Sequence, residues 1–149
     1  MSVLPRSSPW GAVQKCEVYC EGIFEVSTAG HGGFMVRKNA ADFLSAEARK
    51  YAINERNYLC FEEDCDAAIV IRELLDKKMW EIPDRYINKE QYEDNVNQSL
   101  KRWNPDYWDA RQKRLPISER IKNGAAKAAE HNAEQSKTAL KSKNAGVLE

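Results

Sequence analysis

Residues 12–20, AVQKCEVYC, and 22–28, GIFEVST, alternate with a rough period of two and are rich in β-forming side chains. In the first run Val13, Lys15, Glu17 and Tyr19 face one way and Cys16, Val18 and Cys20 the other, with Gly22 as the turn into the second. FMVRK, residues 34–38, reads as a third strand. Turns this short imply antiparallel pairing, because a parallel crossover needs about a dozen residues or more. NYLCF, residues 57–61, is short, aromatic and apolar, and reads as a buried strand.

The helical period takes over in between and afterwards. A helix is expected within residues 40–53, capped by Asn39 or by Ser45. EEDCDAAIVIRELLDKKM reads as a helix over about 63–79, with Glu62, Glu63, Asp64 and Asp66 crowding its start and Lys77 and Lys78 at its end, the polarity a helix dipole favours. Its middle, Ala67 to Ile71, is apolar all round, which marks a buried central element. A further helix opens at Asn88, with Gln91 three residues on as in a capping box. Tyr92, Val96, Leu100 and Trp103 make its apolar stripe over about 89–103. Asn104 then caps a short helix with Pro105 at its first position, where a missing N–H costs little. Trp103, Tyr107 and Trp108 are expected to close over the core. The fold class expected is α+β: an N-terminal antiparallel meander of three to four strands on a central buried helix and a second amphipathic helix.

From about residue 113 the chain turns to Ala, Lys, Glu, Asn and Ser with few large apolar groups, which reads as a helical or disordered tail. The expected division is therefore 1–112 as a compact domain and 113–149 as a basic tail. Net charge is zero over 149 residues, but it is unevenly spread. Residues 1–110 hold 14 Lys/Arg against 19 Asp/Glu, and residues 111–149 hold 9 against 4. An acidic body thus carries a basic tail. No apolar run approaches the roughly 20 residues of a membrane helix, and the N-terminus lacks the apolar core of a secretory signal. A cytoplasmic protein with reduced thiols at Cys16, Cys20, Cys60 and Cys65 is expected.

Candidate chemistry gathers in two stretches. STAGHGGF, residues 27–34, carries Gly30, Gly32 and Gly33 around His31. The glycines suit a hairpin turn with positive φ. A phosphate-cradling loop would need a helix after them, and a strand follows instead. The second stretch holds Cys60, Glu62, Glu63, Asp64 and Cys65. A Cys–His pair makes a nucleophile when imidazole takes the thiol proton, so His31, Cys65 and an orienting Asp64 are the catalytic candidates. The crowd of carboxylates opposes a thiolate there. Gly32, Gly33, Glu62 and Glu63 are the candidate ligand or partner surface. No metal and no cofactor is expected: Cys16-x3-Cys20 lies on a strand, the short CxxC knuckle is missing, and the acids near His31 have a task at the helix start. Arg111, Lys113, Arg114, Arg120 and Lys122 supply the positive charge that phosphate contact needs, although aromatics able to stack bases end at Trp108.

SPWG, GIFEVSTAGHGGF, FEEDCDAAIV and LKRWNPDYWDA, in that order over about residues 9–110, resemble a domain-of-unknown-function family carried by bacteria, phages and plasmids. The resemblance implies that His31, Gly32, Gly33, Glu62, Glu63, Asp64 and Cys65 belong to one pattern. It brings no reaction and no partner with it. The setting suggests a non-enzymatic binding protein of a mobile element, an inhibitor of a host defence complex of the anti-CRISPR or anti-restriction type. The expected partner is then a host protein or nucleoprotein complex, with nucleic acid through the tail as a further option and no membrane. The alternatives are a small Cys/His hydrolase or transferase and a nucleic-acid-binding accessory protein. All of them require the His31 turn and the acid-rich stretch to lie side by side.

Overall fold

Gly22, at φ 84°, turns the chain between β3 (Lys15–Cys20) and β4 (Ile23–Ser27). The ladder continues antiparallel through β5 (Gly32–Arg37) and β7 (Tyr58–Glu62) to an edge strand β6 (Ile53–Asn54), giving the order β3-β4-β5-β7-β6. A separate hairpin, β1 (Ser7–Ser8) with β2 (Gly11–Ala12), precedes it. Between β5 and β6 lie a 3-10 helix (Lys38–Phe43) and α1 (Ala46–Arg49); α2 (Ala67–Asp76), α3 (Lys89–Trp103) and α4 (Pro105–Arg114) follow β7. The structure, a computed structural model, describes residues 3–115. The chain divides into two units, Met1–Asp109 and Ala110–Glu149. Arg120, Lys122 and most of the expected tail lie outside the described residues.

The alternation of each strand sends its side chains to two different apolar layers. Ile23, Phe34, Val36, Leu59 and Phe61 face Ile69, Val70 and Leu74 of α2, with Val96 and Leu100 of α3 and Tyr107 in the same cluster. Phe24, Val26, Met35 and Cys60 point to the other face, where Trp10, Val13, Cys16 and Tyr58 cover them. Antiparallel strands with the helices gathered on one face make this an α+β fold.

Glu73 and Arg72 are sealed beside this core. Glu73 is 1% exposed and accepts hydrogen bonds from Ser45 Oγ (3.0 Å) and Tyr107 OH (2.9 Å), with Lys77 Nζ paired to its other oxygen. Arg72 is 5% exposed, and its guanidinium donates to Asp76 (3.1 Å) on its own helix and to Glu93 (2.7 Å) and Asn97 (2.9 Å) on α3. A buried charge is tolerated only when its donors or acceptors are met in this way.

Several expectations change. Gly32 and Gly33 lie inside β5, not in a turn, and neither has positive φ. They are glycines for want of space: a Cβ on Gly33 would stand 2.2 Å from Phe61 O and 2.6 Å from Trp10 Cη2, and one on Gly32 would stand 2.5 Å from Val26 O. A register shift between Val18 and Cys20 breaks the alternation, so Cys16 joins the Trp10 layer while Tyr19 and Cys20 join the helix layer. The helix expected in 40–53 is two short pieces, and Ser45, not Asn39, caps the α-helical one by accepting from Ala48 N. The central helix starts at Ala67, four residues later than expected, so Glu62 ends a strand and no acid sits in the first helical turn. Trp103 is 48% exposed, and the α3 stripe closes at Leu100. Asn88 does cap α3, its Oδ1 accepting from Gln91 N at 2.9 Å, and Pro105 is the first residue of α4.

Candidate functional site

The hairpin joining β4 to β5 is tied by Thr28. Its N–H (2.7 Å) and its hydroxyl (2.9 Å) both donate to His31 O, and His31 N donates back to Thr28 Oγ1 at 3.1 Å. This fixes His31 at the mouth of the hairpin. Register then pairs Gly33 with Glu62, and Glu63 N donates to Gly32 O at 3.0 Å. The imidazole and the end of β7 therefore share the sheet face that Trp10 covers. The Trp10 ring meets His31 edge-on with 6.3 Å between centroids, and the same indole occupies the space above Gly33.

Glu62 is the centre of the resulting cluster. Its Oε2 lies 2.9 Å from His31 Nε2, and its Oε1 accepts from Cys65 Sγ at 2.8 Å. Glu63 Oε1 stands 3.9 Å from His31 Nδ1. The His31 and Glu62 side chains are each about a third exposed, and Glu63 and Asp64 are exposed. One donor atom from each of His31, Glu62 and Asp64 lies within 4.8 Å of the others.

The charges follow from these contacts. The hydrogen bond to Glu62 raises the His31 pKa above that of a free imidazole against the opposing effect of burial, with Asp64 and Glu63 adding to the rise. The Cys65 and His31 hydrogen bonds hold the Glu62 carboxyl below its usual range. The same bond to Glu62, then burial, then Asp66 and Asp64 push the Cys65 thiol up to about 12. A thiol so placed stays protonated at neutral pH. The cluster thus favours an anionic Glu62 and an imidazolium partner, with the thiol as donor to the same carboxylate.

The structure brings His31, Gly32, Gly33, Glu62, Glu63, Asp64 and Cys65 to one patch. It does so with a different hub from the one expected: Cys65 and His31 each contact Glu62. Trp10 is the residue that sequence reasoning missed. Its signal was the pair of glycines within an apolar strand, which marks a close approach by another group. The other thiols lie elsewhere: Cys20 Sγ donates to Met79 O at 3.0 Å, Cys60 is fully buried, and Cys16 lies in the Trp10 layer. All four cysteines are free. Grooves of about 510 Å³ beside Arg37, Lys38 and Tyr58, and of about 330 Å³ beside Trp80 and Ile82, include none of the cluster. Of the basic candidates, Lys113 and Arg114 are exposed on α4, whereas Arg111 is 7% exposed.

Among the described residues no helix is long and apolar enough to cross a membrane. No curated protein and no solved structure matches the chain. One family model does, over residues 3–139, a span that includes the whole cluster around Glu62. The chain belongs to that family, described as Domain of unknown function (DUF7007).

Proposed function

We propose that this chain is a non-enzymatic binding protein of a phage or other mobile genetic element. Its partner is a host defence complex, of the kind blocked by anti-CRISPR or anti-restriction inhibitors, and it works in the cytoplasm where such complexes act. The observation that carries the reading is Glu62 standing between Cys65 and His31, with Glu63 and Asp64 exposed beside it. A nucleophilic pair needs imidazole on the thiol to take its proton. Here a carboxylate takes both contacts, which works against the Cys/His hydrolase or transferase alternative and leaves a fixed acidic patch. The excess of five negative charges over residues 1–110 gives the body a field of the same sign. That field complements a basic nucleic-acid channel, speeding encounter and penalising wrong partners.

The test uses the immobilised full chain and a host lysate. A defence nuclease or restriction complex is expected at low salt and is released toward about 1 M salt, where screening shrinks to about 3 Å. The double variant Glu63→Lys/Asp64→Lys should recover at least tenfold less. Recovery of no such complex, or recovery indifferent to salt and charge reversal, overturns the reading. The nucleic-acid accessory reading keeps one supporting observation, the exposure of Lys113 and Arg114. It requires DNA or RNA binding that weakens steeply with salt and is lost when residues 113–149 are removed.

A further inference from the structure

His31, Glu62 and Asp64 come from a hairpin turn, a strand end and the turn before α2, yet their donor atoms converge within 4.8 Å. We infer that these three side chains bind one divalent transition-metal ion of the zinc class, with a coordination position left open to water or an outside ligand. A cation about 2.1 Å from an imidazole nitrogen and a carboxylate oxygen holds the two about 3.0–3.4 Å apart, depending on the angle between them. His31 Nε2 and Glu62 Oε2 stand 2.9 Å apart as a hydrogen-bonded pair, so the ion takes the place of the shared proton and the pair opens by a few tenths of an ångström. Asp64 is exposed, so its carboxylate closes on the ion by side-chain rotation without disturbing the core.

The neighbours are those that hold ligands still in metal sites. Cys65 Sγ occupies Glu62 Oε1, which leaves Oε2 facing the imidazole. Glu63 Oε1 stands on the far side of the ring, 3.9 Å from Nδ1. The Trp10 ring restrains the imidazole from its edge. One nitrogen with two carboxylate oxygens is a harder set than the thiolate-rich sets of closed structural zinc sites, and three protein ligands leave a site open. The imidazole disfavours calcium and magnesium, which take oxygen ligands.

The experiment takes the full chain stripped with a chelator and dialysed against zinc chloride, with cobalt(II) as a spectroscopic substitute. One zinc per chain is expected, and His31→Asn and Asp64→Asn should each weaken binding at least tenfold with unchanged far-UV circular dichroism. His131→Ala, which replaces the second of the chain's two histidines, should bind as the parent does. Cobalt should give visible d–d bands without a near-ultraviolet thiolate band, because no cysteine is among the three ligands. Absence of zinc uptake, uptake by the His31 and Asp64 variants equal to the parent's, or a cobalt–thiolate band overturns the assignment.

Discussion

Gly33→Ala adds one methyl group where there is no room for it. Its Cβ would stand 2.2 Å from Phe61 O and 2.6 Å from Trp10 Cη2, both inside the 3.0 Å that real Cβ atoms keep. The ring can tilt, but the carbonyl belongs to β7 and moves only with the ladder. Relief requires β5 and β7 to part by roughly 1 Å at the Gly33–Glu62 pair, which also draws Glu62 from His31. Overpacking of this kind costs about 1–3 kcal/mol, and a weakened ladder bond about 1 kcal/mol more. The stiffer unfolded chain returns about 0.4–1 kcal/mol. A net loss of about 2–3 kcal/mol follows, or about 10–20 °C in Tm for a domain near this size. Gly30→Ala is the matched control, since a Cβ there meets nothing within 4 Å. Urea unfolding followed by tryptophan fluorescence compares the two. Stabilities within about 0.5 kcal/mol of each other would refute the steric account, since surface changes fall in that range.

Three further outcomes are expected. Asn88→Ala removes the acceptor for Gln91 N and should cost about 1 kcal/mol in urea melts; a change below about 0.3 kcal/mol would contradict the cap. Tyr107→Phe takes one donor from the buried Glu73 and should cost about 1.5–3 kcal/mol; an unchanged Tm would mean the hydroxyl is dispensable. Burial raises the Asp66 pKa despite the opposing hydrogen bond from Asn104. An acid raised on folding costs stability once ionised above that pKa and nothing below its unfolded value, near 3.9. Asp66→Asn should therefore raise the urea midpoint at pH 7 and lose that advantage by pH 3; a lower midpoint at pH 7 would reverse the sign.

The strands announced themselves wherever the period of two was unbroken, as in Ile23–Ser27, and the caps Asn88 and Ser45 were legible because local chemistry decides them. What failed was whatever depends on a distant neighbour. Gly32 and Gly33 look like a turn until Trp10 and the Phe61 carbonyl are placed beside them. The bulge that sends Cys16 and Cys20 to opposite layers leaves no mark in composition. Two-residue strands such as Ile53–Asn54 are too short to show a period. At the site, the residues of the His31 turn and of the acidic stretch were legible as chemistry, while their meeting was a requirement that only the resemblance supported. The role of Glu62 was not legible, because EEDCD reads equally as the start of a helix, and only the β7 register turns Glu62 toward the imidazole.

Arg72 has a consequence for how α2 and α3 behave as a pair. Two greasy helix surfaces can slip past each other by a turn, about 5.4 Å, and still find grooves for their ridges. A forked cation that must find Glu93 and Asn97 together recognises one alignment only. The two helices are thus indexed like a key in a ward, and a molecule that engages this side meets a pre-set relief rather than one that adjusts to it.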